Sequence, residues 1–254
     1  MQASDVLVVA SFSLGFAVAA WRALLPTWDV VGDAHIPRAA LQPYVEDESF
    51  NAELTVVIAL LLFTAFAVAV WWWFPHEDAV DACATVVCAT AVAFSVAHLM
   101  KYATLEPRPD FMARCVPRGV LGVDAGGAAH VILVPRGDGT HIRDVCTGDH
   151  DRIIDGMLNF PSAHATTFAA LAVSILLVAF ELLGGEGSAS ASCAASLWTI
   201  ASSAIAMAIA IGSSRVADHR HDWWAVGCGF ALGTFIASCV YAAVYFHRSS
   251  SMRD

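Results

Sequence analysis

Three short segments gather the residue types that handle an anion. Lys101 is followed, after six intervening residues, by Arg108-Pro109. Pro161-Ser162-Ala163-His164 comes after a further 51 residues, and Ser214-Arg215, with His221 close behind, after another 49. Lys101 offers a compact point charge and Arg108 and Arg215 planar forks, the two ways a cationic side chain clamps phosphate oxygens. Ser162 and the backbone N–H groups opening a following helix add short donors. Two histidines supply what phosphoryl transfer needs beyond charge: a neutral imidazole to attack and an acid to protonate the departing oxygen. Singly, each residue has a plainer reading. Ser162 behind Pro161 fits a helix N-cap, and an isolated Arg or His beside an apolar run is an interfacial anchor, the reading that suits Arg22, His76, His98 and His247. Their joint occurrence, in order and beside apolar stretches, points to chemistry.

The elements that must position them follow from composition. The chain has 254 residues, 58% of them apolar and 14% charged, with a mean hydropathy of +0.64. A soluble domain carries about 45–50% apolar and about 25% charged residues. A soluble domain, a disordered chain, a collagen and a disulfide scaffold are all excluded, which leaves an integral membrane protein. A spanning helix needs roughly 20 apolar residues, and six stretches qualify: 6–25, 54–74, 82–100, 165–183, 193–212 and 223–246. The expected fold is therefore all-α, a single domain over 1–254 with six transmembrane helices. The first stretch reads as a retained helix rather than a signal peptide, because no basic segment precedes it and no small-residue cleavage site follows.

Six helices place both termini on one side and the segments 26–52, 101–164 and 213–222 on the other, so the long polar loop 101–164 shares a side with all three motifs. Trp71-Trp72-Trp73 and Trp223-Trp224 suit interfacial belts. Gly229 and Gly233 form a small-xxx-small pair suited to close helix packing, and the Gly/Ser-rich run 184–192 reads as a connector. The stretch 116–145 is glycine-rich and irregular. A net charge of −10 without a basic stripe argues against nucleic acid. Of the seven cysteines, five fall in apolar stretches as small hydrophobes, while Cys115 and Cys146 share the polar loop and can pair in an oxidising compartment.

Lys-x6-Arg-Pro, Pro-Ser-x-His and Ser-Arg-x5-His, with these intervals and this six-helix layout, resemble the three signature motifs of the type 2 phosphatidic acid phosphatase superfamily, and within it the lipid phosphate phosphatase branch. Arg108-Pro-Asp-Phe-Met-Ala-Arg-Cys115 and Cys146-Thr-Gly-Asp149 resemble flanks of its fungal and plant members. The resemblance implies a phosphohistidine enzyme in which His221 is the nucleophile and His164 the general acid. It implies that Lys101, Arg108, Ser162, the Ala163 N–H and Arg215 hold the phosphoryl oxygens, with no metal or other cofactor. The implied partner is a membrane lipid phosphate, phosphatidate foremost, then diacylglycerol pyrophosphate or lysophosphatidate. A related lipid phosphotransferase, or a weakly active protein that binds or transports lipid phosphates, are the alternatives.

Two positions depart from the pattern. Ala163 stands where glycine is usual. Ala225 stands where an aspartate usually follows the nucleophile by four residues and would hold its imidazole, so Asp218 or Asp222 is expected to replace that acid in part. The resemblance also implies a lumenal or extracellular site, although 11 of the 13 Lys and Arg residues fall on the site-bearing side, against the positive-inside tendency. That tendency is discounted because several of these charges belong to the site.

Overall fold

The computed structural model describes residues 42–115, 119–123, 129–133, 146–184 and 189–251. Five helices in it are long and apolar enough to span a bilayer: α1 (Ala52–Trp73), α2 (His76–Thr104), α5 (Ala163–Gly184), α6 (Ala191–Ala217) and the apolar part, Trp223–Tyr245, of α7 (Trp223–Ser251). Between α2 and α5 lie the short helices α3 (Phe111–Cys115) and α4 (His150–Gly156). The expected helix 6–25 lies outside the described residues.

The helices begin and end for local reasons. Asn51 caps α1 by accepting the Leu54 N–H at 2.8 Å, and Ser190 caps α6 through the Cys193 N–H at 3.1 Å, each satisfying a donor the first turn leaves orphaned. Only Phe74-Pro75 separates α1 from α2, so most of the gap between the apolar stretches 54–74 and 82–100 is the first turn and a half of α2. Glu77 and Asp78 make that turn polar, and acids there complement the helix N-terminus. Hydropathy alone marked the greasy part of the helix and missed its charged start.

α5 lies at the centre. Half of its apolar window is buried inside the protein, against 17% for the peripheral α1. Phe168, Leu171, Ile175 and Val178 of α5 pack with Phe66 and Val70 of α1, Val86 of α2, and Leu197 and Ile211 of α6. α7 comes closest where side chains vanish. A methyl group on Gly233 would strike the Thr166 carbonyl oxygen and lie 2.9 Å from Ala169 Cβ, and one on Gly229 would lie 2.9 Å from the Ser162 carbonyl oxygen. The glycine pair thus packs α7 onto the first turns of α5. Leu61, Val68, Trp72, Trp223, Trp224 and Phe235 point outward, as lipid-facing and interfacial residues do.

The loop 101–164 departs from an all-α fold. Gly119–Val123 and Ala129–Leu133 pair as antiparallel strands β1 and β2, with Gly119 opposite Leu133. Sequence reading missed the hairpin because its strands are short and the glycines around them dilute the two-residue alternation. Cys115 and Cys146 are disulfide-bonded, with Cα atoms 4.7 Å apart. Together with Phe111, Met112 and Ile153 they make a small second core under α3 and α4.

Candidate active site

Because the helices alternate in direction, the end of α2, the start of α5, the end of α6 and the start of α7 meet at one end of the bundle. α2 stops where Leu105 turns left-handed (φ 46°) and its N–H returns to the Lys101 carbonyl at 3.0 Å. Lys101 therefore sits in the last turn, where the exposed carbonyls favour a cation. Its Nζ donates to the Leu158 carbonyl at 2.7 Å. Arg108 reaches the same carbonyl through Nε at 3.4 Å, and its Nη2 pairs with Asp155 at 2.9 Å. The first motif is thereby folded onto the segment that leads into α5.

α6 runs to Ala217, five residues past its apolar stretch, and so carries Ser214 and Arg215 on a rigid helix instead of the expected loop. It ends in a Schellman cap. His219 takes φ 56°, its N–H bonds the Val216 carbonyl at 3.1 Å, and the Arg220 N–H bonds the Arg215 carbonyl at 2.9 Å. The His221 N–H uses that same Arg215 carbonyl at 3.0 Å. The nucleophile candidate is thus tied to the backbone of the third cation. Arg215 itself is 1% exposed, with Glu48 at 2.6 Å, the Phe50 carbonyl at 2.7 Å and Asp218 at 3.1 Å.

These groups face a cavity of about 400 Å³, within the usual range for small-molecule sites. Lys101, Arg108, Ala163, His164, Arg215 and His221 all line it. Ser162 does not: it is fully buried behind the wall, its N–H donates to the Ala225 carbonyl at 3.1 Å, and its hydroxyl faces the Ala165 N–H at 3.5 Å. The opposite part of the cavity is apolar, formed by Ala52, Val56 and Ala59 of α1, Phe94 of α2 and Phe168 of α5. Val56 and Phe94 are 58% and 45% exposed, so this wall reaches the outer surface of the bundle between α1 and α2.

Electrostatics divide the polar end. Burial, then Lys101, Arg108 and His164, hold the His221 imidazole well below its usual range, with a hydrogen bond from the ring to the Asn159 backbone acting the other way. Burial would push Asp155 up, but Arg108, Arg114 and Lys101 outweigh it and hold the carboxylate low. Burial lowers Arg108, although Asp155 opposes it. Behind this layer Arg114 pairs with Asp110 at 2.9 Å and Asp155 at 2.8 Å. Arg114 and Arg220 also stack on the Tyr44 ring, 4.9 and 4.7 Å from its centroid. Among the described residues no group of three His, Cys, Asp or Glu side chains is gathered to hold a metal ion.

Neither acid expected to orient His221 touches it. Asp218 is spent on Ser49 (Oγ at 2.7 Å) and Arg215. Asp222 accepts the Ala225 N–H at 2.6 Å, capping the start of α7, and an Asn159 N–H at 3.0 Å. The partner of His221 Nδ1 is the Asn159 side-chain oxygen at 3.3 Å. Asn159 lies two residues before the second motif and carried no sequence signal. Nor did Glu48, which bridges Arg215 and Arg220 (2.8 Å) from a segment 167 residues away in the chain. His98, read as an anchor, stands on the cavity wall with Arg220 and Asp155.

The PAP2 superfamily profile matches residues 81–249, two thirds of the chain and every motif above. The chain belongs to the PAP2 superfamily. Its PAP2 relatives include lipid phosphate phosphatase 1 of Arabidopsis thaliana, 31% identical over 58% of this chain and 39% of that protein. Lipid phosphate phosphatase 2 of the same plant is 27% identical over 78% of this chain and 62% of that protein. Diacylglycerol pyrophosphate phosphatase 1 of Saccharomyces cerevisiae is 30% identical over 54% and 43%. The matches thus span 39 to 62% of these relatives' length. No solved structure matches.

Proposed function

We propose that this PAP2 protein is a lipid phosphate phosphatase acting through a phosphohistidine. The observation that carries the reading is one cavity lined both by the motif cations Lys101, Arg108 and Arg215 with His164 and His221 and by an apolar wall that reaches the bundle surface. A phosphate monoester whose tail stays in the bilayer suits both ends. Phosphatidate is the expected substrate, with diacylglycerol pyrophosphate and lysophosphatidate next, in keeping with the relatives' names.

In the proposed reaction Lys101, Arg108, Arg215 and the Ala163 N–H hold the phosphoryl oxygens. Neutral His221 forms the N–P bond as the bond from phosphorus to the departing oxygen breaks, and His164 gives that oxygen its proton. His164 then takes a proton from water, which attacks the phosphohistidine, releases inorganic phosphate and restores His221. The low proton affinity of His221 supports its role as a neutral nucleophile near pH 7.

The Cys115–Cys146 bond supports a lumenal or extracellular site, since disulfides persist in oxidising compartments. A glycosylation tag inserted within 120–140 is expected to be modified, and an unmodified tag reached by cytosolic protease would reverse the orientation. The test of activity is phosphate release from phosphatidate in detergent micelles with EDTA present, native against His221→Ala. Release that withstands EDTA and disappears in the variant is expected. Activity persisting in His221→Ala, or none on any of the three lipids, would overturn the assignment.

A further inference from the structure

The family's usual acid is absent at Ala225, and the two nearby aspartates are committed elsewhere, so a nucleophilic His221 needs another device to fix its proton. Asn159 is 1% exposed, lies behind His221 and does not line the cavity. Its side-chain nitrogen donates to Glu106 Oε1 at 2.8 Å and to Asp222 Oδ2 at 3.0 Å. Ionised carboxylates only accept hydrogen bonds. Both amide hydrogens are therefore spent on acids, and the amide cannot flip without setting its oxygen against two carboxylates. The oxygen is left facing His221 Nδ1 at 3.3 Å. An oxygen that only accepts requires that Nδ1 carry the hydrogen.

We propose that Asn159, locked by Glu106 and Asp222, is the positioning residue that fixes His221 as the Nδ1–H tautomer and leaves the Nε2 lone pair for the cavity. The inference rests on His221 being the nucleophile. In the attack Nε2 forms the N–P bond, the leaving oxygen departs with the proton from His164, and the Nδ1 proton stays in place. The phosphorylated ring is then positive, and the amide oxygen, polarised from behind by two acids, continues to accept from Nδ1–H.

A neutral amide differs from the usual aspartate in one respect. It orients the ring without adding a negative charge in contact with it, so burial first, and then Lys101, Arg108 and His164, keep the ring neutral. The Asn159 backbone reinforces the lock, its N–H donating to the Glu106 carbonyl at 2.9 Å. Thus the segment after α2, the segment before α5 and the start of α7 all converge on the proton of one imidazole.

The experiment combines kinetics with direct observation of the tautomer. Long-range proton–nitrogen NMR of the full chain, ¹⁵N-labelled at histidine in micelles and assigned by His221→Ala, is expected to report Nδ1–H at His221 in the native protein. In Asn159→Ala the ring should lose that preference. Turnover on phosphatidate should then fall on the order of 10²–10⁴-fold with KM held, the range lost when a catalytic imidazole is misoriented. An Nε2–H ring in the native protein, an unchanged Nδ1–H ring in Asn159→Ala, or native turnover in that variant would overturn the proposal. Glu106→Gln provides a second reading: a glutamine can donate as well as accept, so one of the two groups that hold the Asn159 amide is lost and the Nδ1–H preference at His221 should weaken. An unchanged preference counts against the lock. Failure of the phosphatase reading itself is separately visible as activity surviving in His221→Ala, while the tautomer measurement still decides the role of Asn159.

Discussion

In the proposed reaction Glu48 stands where the phosphoryl group would meet Arg215. Its two oxygens lie 2.6 Å from Arg215 and 2.8 Å from Arg220, and its side chain, a quarter exposed, sits on the cavity wall. A phosphoryl group that engages Arg215 must displace or share this carboxylate, so Glu48→Gln removes a competing anion from the site. A hydrogen bond to a charged group contributes about 1.5–3 kcal/mol. Solvent reaching the carboxylate reduces that, and glutamine keeps one oxygen able to accept from one of the two guanidinium groups. A net relief of about 1–2 kcal/mol remains, which is roughly a 5- to 30-fold tighter apparent substrate affinity. Arg215 keeps the Phe50 carbonyl and Asp218, so it stays in position and kcat should change little. The assay is phosphate release across a range of phosphatidate mole fractions in mixed micelles, with inorganic phosphate inhibition measured in parallel. Both KM and the inhibition constant are expected to fall together. A KM that rises while the protein keeps its thermal midpoint would mean that Glu48 assists binding, and the competition argument would be refuted.

Gly233→Ala should lower stability in detergent by about 1–3 kcal/mol, the usual penalty for an overpacked contact, because its methyl meets α5 backbone. Gly227→Ala, with nothing within 4 Å of the added carbon, is the control, and equal midpoints would refute the packing account. Stability should fall monotonically from pH 7 to pH 4. Asp155 is lowered in the folded state, so its contribution is complete above its unfolded value near 4 and is lost as pH falls through the folded value. His221 is lowered too, so below about 6.5 the unfolded chain takes up a proton the folded one refuses. A midpoint that rose on acidification would contradict both. Non-reducing peptide mapping should recover Cys115 linked to Cys146, and reduction should cost about 3–4 kcal/mol by loop-closure entropy for a separation of 31 residues. Two unlinked thiols would remove that contribution and the support it gives to a lumenal loop.

What the chain discloses locally and what it does not divide along physical lines. Five spanning helices were legible because 20-residue apolar runs have few alternatives in a membrane protein, and the three motifs were legible because their charged and imidazole side chains stand beside those runs. Gly229 and Gly233 announced a close helix contact by spacing alone. Helix ends were misplaced wherever polar residues lie inside the protein. The first turn and a half of α2, and the turn carrying Ser214 and Arg215, are helical because caps and tertiary partners satisfy their backbone, a matter hydropathy does not address. Only the tertiary structure assigned partners. Asp218 and Asp222 are three residues before and one after His221, yet one is drawn off by Ser49 and Arg215 and the other by the Ala225 N–H and Asn159. Asn159, 62 residues away, takes the imidazole instead, and Glu48, 167 residues from Arg215, takes that guanidinium. Sequence states which groups are available. Which acceptor faces which donor depends on chain reversals between distant segments, and so on packing that no local spacing records.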